Sequence, residues 1–161
     1  MLTKTLKNES YTEYQSEKEL PQEDIELLQH ARDACKSSYS PYSNFQVGVA
    51  VRLGSGKIVR GSNQENAAYP SGLCAERVAL FHVGSNYPNE KILQIAVAAK
   101  RAEESEFLPV TPCGSCRQVM LESENKQDQP IEFIMRSGKN SWIKTQSCKI
   151  LLPFSFDASS L

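Results

Sequence analysis

Three cysteines and one glutamate carry the most specific chemistry in the chain: Cys74-Ala75-Glu76 and, further on, Pro112-Cys113-Gly114-Ser115-Cys116. Two cysteines separated by two residues in the first turn of a helix place their sulfurs on one side, so Cys113 and Cys116 can share a metal. Thr111 suits an N-cap and Pro112 the first helical position, which puts both thiols where backbone amides and the helix dipole favour thiolate. Cys74 opens a second helical pattern, after Ser71 and Gly72, in the same kind of electropositive place. By themselves Cys113 and Cys116 fit a redox pair, a structural zinc clip or a catalytic site. Adding Cys74 favours catalysis, because a closed structural site would need a fourth Cys or His close by. His30 belongs to an earlier helical pattern and His82 lies two turns beyond Cys74, while Cys35 and Cys148 read as small core residues. Three thiolates leave the fourth tetrahedral position of zinc to water. Glu76 follows Cys74 too closely to be a comfortable fourth ligand, but it can reach that water as a proton carrier.

The elements that must hold these residues follow from periodicity. From Pro21, the residues Ile25, Leu27, Leu28, Ala31, Ala34 and Cys35 recur at helical spacing, predicting a helix that ends near Ser38 before Pro41. Phe45, Val47, Val49 and Val51 then alternate as a strand, and the Gly54-Ser55-Gly56 turn leads to a second strand over Lys57 to Gly61. Gly61 to Gly72 reads as irregular, with more polar variety than a connection needs. Cys74 to Val83 and Cys113 to Glu122 read as helices, and Ile92 to Ala99 as a buried strand. Ile131 to Met135 and Trp142 to Thr145 add two short strands. This order predicts an α/β fold, a layered sheet with helices packed on its faces.

The 161-residue length suits one domain, and 40% hydrophobic with 23% charged residues is ordinary globular usage. A net charge of −1 offers no electrostatic footprint for nucleic acid. The polar segment from Met1 to Leu20 has no apolar run for a membrane or signal helix, so a cytoplasmic protein is expected, with residues 1–20 an extension that is either a loose arm or an added edge strand. Five cysteines in a reducing compartment argue for metal binding over disulfides.

With these residues in view, the sequence resembles the zinc-dependent cytidine deaminases of the small, homotetrameric nucleoside type. The likeness rests on Cys74-Ala-Glu-Arg77 and Pro112-Cys113-Gly-Ser-Cys116-Arg-Gln118, and it extends to Phe45-Gln-Val-Gly48, Asn63-Gln-Glu65-Asn66-Ala-Ala-Tyr69 and Leu151-Leu-Pro153. The resemblance implies a three-layer α-β-α sandwich with a five-stranded mixed sheet in residues 21–161, to which the extension could add an edge strand. It implies one zinc per subunit on Cys74, Cys113 and Cys116. The implied reaction is hydrolysis of free cytidine and deoxycytidine to uridine and deoxyuridine in pyrimidine salvage, with zinc-activated water attacking carbon 4 and Glu76 moving the protons.

The same resemblance implies roles for further residues. The amide of Ala75 and the carbonyl of Thr111 would orient the base edge, Phe45 would pack against base and ribose, and Asn63 and Glu65 would bind the ribose hydroxyl. Arg77 matches the arginine that hydrogen-bonds the ligand thiolates, a cation that three thiolates need for charge balance. Tyr69 and Phe156 stand as substrate contacts, with packing in the core or an interface as the alternative; Arg117 is read as a helix-face charge or a supporting group outside the site. A homotetramer with shared active sites, no nucleic-acid partner and no membrane partner complete the expectation. The rival readings are a deaminase for an antibiotic cytosine nucleoside or a nucleotide, and a non-catalytic zinc-stabilised binding module.

Overall fold

The computed structural model describes residues 10–158 and residue 161. Its elements run β1 (Tyr11–Tyr14), α1 (Gln22–Ala34), β2 (Phe45–Leu53), β3 (Ile58–Ser62), α2 (Ala75–Asn86), β4 (Ile92–Arg101), β5 (Phe107–Leu108), α3 (Gly114–Gln127), β6 (Glu132–Arg136) and β7 (Trp142–Thr145). The sheet order is β1-β7-β6-β4-β2-β3, with β5 pairing β4. Among the described strands only β4 and β6 pair in parallel, joined through α3, so the sheet is mixed.

Alternation along the strands builds two cores. Val49, Val51, Ile95, Val97 and Phe133 point to the face covered by α2 and α3. Ala50, Ala96, Ala98 and Ile134 point to the opposite face, where Leu27, Leu28 and Ala31 of α1 pack. Each large side chain fully removed from water stabilises the fold by about 1.5–3 kcal/mol. Small residues on the α1 side let that helix sit close. A Cβ on Gly48 would lie 2.1 Å from the Ala31 carbonyl oxygen. On the other face a Cβ on Gly61 would lie 2.6 Å from the Ala79 nitrogen and 2.7 Å from the Ala75 carbonyl oxygen, so α2 rests directly on β3. These two close approaches fix the heights of both helical layers. The three-layer sandwich is thus as expected.

Among the described residues the sheet has seven strands rather than five. One addition is the edge strand β1, antiparallel to β7 with Tyr11 opposite Thr145 and Tyr14 opposite Trp142. The other is β5, a two-residue return of the chain onto Ala99 and Lys100. The segment after β1 is tied to α1 by Glu17, which accepts two hydrogen bonds from Arg32 at 2.8 and 2.5 Å, and by Leu20, which is buried in the α1 core. Expectations for residues 1–9 lie outside the described residues. No helix among those described is long and apolar enough to cross a membrane.

Candidate active site

Both helices of one layer begin at the same end of the sheet, and a cysteine stands at each start. Cys74 is the N-cap of α2 and Cys113 the N-cap of α3, both with extended backbone and neither spending its side chain on a capping bond. The α3 cap therefore falls two residues later than the Thr111–Pro112 reading. Thr111 and Pro112 stay outside the helix, which leaves Cys113 at its mouth and Cys116 inside the first turn. Cys113 is exposed, Cys74 half-buried and Cys116 fully buried.

The sulfurs of Cys74, Cys113 and Cys116 lie within 4.8 Å of one another, with Cys74 to Cys113 at 3.9 Å and Cys113 to Cys116 at 3.5 Å. Thiolates about 2.3 Å from a tetrahedral zinc stand about 3.8 Å apart, so the donor set fits that ion. The surroundings fit as well. Arg77 Nη2 points at Cys74 Sγ at 3.8 Å, and its buried Nε has no hydrogen-bond partner among the described residues, so this cation depends on anionic sulfur for its balance. The Cys74 thiol is lowered to about 5, first by the hydrogen bond from Cys116 and then by Arg77 and Cys113. Cys116 is pushed up as the proton donor of that pair. Arg77 is raised in turn, chiefly by its bond to Cys74.

Glu76, one residue into α2, is 5% exposed. Burial raises its pKa, and the Cys74 charge adds to the shift. A carboxyl with raised proton affinity beside a metal-binding sulfur set is suited to taking and returning protons.

A cavity of about 430 Å³ opens beside Cys74 and Arg77, walled by Tyr42, Asn63, Glu65 and Tyr69. That volume is within the range of small-molecule sites. Asn63 shapes its floor: Oδ1 accepts from Val47 N at 2.8 Å and Ser38 Oγ at 2.6 Å, and Nδ2 donates to Phe45 O at 2.9 Å. Glu65 Oε2 accepts from the amides of Tyr42 at 2.9 Å and Ser43 at 3.3 Å. Its pKa is lowered, first by the Ser43 side chain and then, against the effect of desolvation, by those amides. Tyr69 meets Tyr42 edge to face, with centroids 6.2 Å apart.

The other predicted residues stand around this centre at different depths. Ala75 is fully buried at the α2 start, Phe45 is half-buried at the start of β2, and Thr111 is exposed just before Cys113. Phe156 is 60% exposed on the tail after β7 and does not line the cavity of the single chain. Tyr42, Arg117 and Gln118 were missed or set aside by the sequence reading. A Tyr in a Ser/Pro turn gives no local sign of facing a cavity. The Arg-Gln pair gives none of reaching main-chain carbonyls.

A family model described as the cytidine and deoxycytidylate deaminase zinc-binding region matches residues 21–128. A cytidine deaminase of Halalkalibacterium halodurans is 45% identical over 96 residues, covering 60% of this chain and 68% of the relative. A cytidine deaminase of Sporosarcina psychrophila is 34% identical over 140 residues, 86% of this chain and 95% of the relative. Among solved structures, a cytidine deaminase from Burkholderia pseudomallei superposes with a TM-score of 0.67 at 34% identity, covering 85% of this chain and 100% of that one.

Proposed function

This chain belongs to the zinc-binding cytidine and deoxycytidylate deaminase family, and from that premise we propose that it hydrolyses the exocyclic amine of free cytidine and deoxycytidine, giving uridine or deoxyuridine and ammonia. The observation that carries the reading is the meeting of Cys74, Cys113 and Cys116 within 4.8 Å beside the buried carboxyl of Glu76. Cys74, Cys113 and Cys116 would hold zinc, which would supply Lewis-acid activation of a water nucleophile at neutral pH. Glu76 takes the proton of the attacking water, delivers it to ring nitrogen 3 and then carries a proton to the departing amine.

The remaining residues bind and orient. The Ala75 N–H and the Thr111 carbonyl hold the base edge, and Phe45 packs against base and sugar. Asn63 retains a second Nδ2 hydrogen beyond the one given to Phe45 O, and with the cavity-facing Glu65 carboxylate it serves the ribose hydroxyl. A carboxylate there repels a phosphate, which favours nucleoside over nucleotide. Tyr69 and Phe156, exposed at 76% and 60% in one chain, fit aromatic contacts completed by neighbouring subunits of a homotetramer. Burying them favours assembly by about 25 cal/mol per Å² of apolar surface. Residues 21–161 form the deaminase domain and 1–20 its extension. Free cysteines fit a cytoplasmic role in pyrimidine salvage.

Loss of ultraviolet absorbance on incubation with cytidine, deoxycytidine and cytidine monophosphate tests the reading. Turnover of the two nucleosides that disappears on chelation and returns with zinc is expected. Turnover of the monophosphate alone, no turnover by zinc-loaded protein, or activity indifferent to chelation would each overturn it.

A further inference from the structure

Arg117 and Gln118 follow the last metal-binding cysteine on α3, and both reach away from the helix to main-chain carbonyls. Arg117 Nε donates to Pro112 O at 2.8 Å, and its Nη1 donates to Leu151 O at 3.0 Å. Gln118 Nε2 donates to Phe156 O at 2.9 Å. The acceptors lie in two segments far apart in sequence: the turn that enters α3 and the tail that follows β7.

Each bond restrains something specific. The Pro112 carbonyl belongs to the peptide unit between Pro112 and Cys113, so holding it limits rotation of both the Thr111 carbonyl before it and the Cys113 sulfur after it. The Leu151 carbonyl ends the 3-10 helix Cys148–Leu151, beyond which the chain turns outward. The Phe156 carbonyl lies in irregular tail whose ring is 60% exposed, so its main chain is held where its side chain is not packed. A guanidinium suits the bridging task because its Nε and Nη1 hydrogens diverge in one rigid plane, whereas an ammonium is a single rotating point.

We propose that Arg117 and Gln118 are positioning residues that lock the C-terminal tail to the metal-binding turn, so that α3 sets where Phe156 is presented relative to Cys113 and Thr111. The inference rests on the reading of Phe156 and Thr111 as substrate contacts. The lock itself is measurable without turnover.

Full-length, zinc-loaded R117K, Q118A, F156A and the double variant Q118A/F156A test it through zinc content, chymotryptic cleavage of the tail and cytidine kinetics. Tail cleavage roughly two- to tenfold faster than the parent in Q118A and in R117K is expected, the range of one lost hydrogen bond. The KM for cytidine should rise more than kcat falls, with zinc retained in Q118A. Adding Q118A to F156A should raise KM little further, because both act through the same ring. Parental tail cleavage in Q118A and R117K overturns the lock, and Q118A answers the question alone if R117K loses zinc or fold. Additive KM effects in the double variant overturn its action through Phe156. Parental kinetics in F156A with faster tail cleavage in Q118A uphold the lock and remove only the catalytic reading of Phe156.

Discussion

Two glutamates are buried to nearly the same degree, at opposite ends of the same helical layer, and their surroundings differ. Glu124, in the last turns of α3, is 3% exposed, and Glu76, at the start of α2, is 5% exposed. Glu124 is saturated by the amides of Ile131 and Cys148, both at 2.8 Å, and by Ser147 Oγ at 2.6 Å. It joins α3 to the start of β6 and to the 3-10 helix Cys148–Leu151. Glu76 instead has the Cys74 and Cys116 sulfurs and the Arg77 guanidinium acting on it, and burial raises its proton affinity. Burial alone therefore does not tell the two acids apart. Partners decide, because neutral donors fix a carboxylate while anionic sulfur and low dielectric leave its proton mobile.

The cysteines divide along the same line. Cys116 and Cys148 are both fully buried, but Cys116 faces two other thiols whereas Cys148 faces the Ile131 carbonyl at 3.5 Å, its pKa pushed up by burial and by Glu124. The largest expected effect separates these two. Cys116→Ala should lose zinc and fall to background turnover, while Cys148→Ala keeps the metal and activity and costs about 1 kcal/mol of stability. Metal analysis beside a thermal melt reads both, and a zinc-loaded, active Cys116→Ala protein would erase the distinction between the two ends.

Next in size is the glutamate pair. Glu76→Gln should retain zinc and lower turnover by about 10²- to 10⁴-fold, since an amide can hydrogen-bond but cannot cycle a proton. Glu124→Ala should do the reverse, destabilising the fold by about 1–3 kcal/mol for each buried amide left without an acceptor. Its turnover at full zinc occupancy should stay near that of the parent. Kinetics at equal metal content and the shift in Tm give the answer; near-parental turnover in Glu76→Gln would move the proton transfers to another group.

The smallest effect concerns Glu65, an acid that combines both behaviours, since it holds the Tyr42–Ser43 turn and faces the cavity. Its folded pKa is depressed, so its contribution is present above the unfolded glutamate value and is lost as pH falls through the lower folded value. The parent should therefore hold cytidine undiminished at neutral pH and lose grip only below the usual carboxylate range. Glu65→Gln should show a KM raised roughly tenfold at neutral pH and flat toward acid. Equal KM profiles in parent and variant would place Glu65 with Glu124, as a residue of the scaffold.

Much of this molecule is written locally. The period-two alternation of Val47, Val49 and Val51, the 3.6-residue spacing of Leu27, Leu28 and Ala31, and the Gly54-Ser55-Gly56 turn produced the strand, helix and hairpin their patterns imply. The Cys-x-Glu and Cys-x-x-Cys spacings were equally readable, since ligand types and helix starts are properties of neighbours in sequence. Other features were not legible. The weak alternation of the polar stretch around Tyr11–Tyr14 left a loose arm and an edge strand equally open, and the open edge of β7, an acceptor that exists only after the sheet has formed, decides for the strand. Asn63 is expected from the sequence as a ribose ligand, and what the structure shows of its amide is that it fastens Val47, Ser38 and Phe45. Arg117 read as either a helix-face charge or a supporting group, and only the fold shows that it bridges Pro112 to Leu151.

The sequence by itself determined which residues could bind a metal and move a proton, and which segments would be helix or strand, because those depend on chemistry within a few residues. Only the tertiary structure decided that Cys74 meets Cys113 at 3.9 Å across a separation of 39 residues, and that one buried glutamate faces sulfur while another faces amides. Those outcomes depend on where β3 and β4 deliver the starts of α2 and α3, and on close approaches such as Gly61 against Ala79 that set helix height to a fraction of an ångström. Distances of that kind arise from packing the whole layer at once, and spacing along the chain does not encode them.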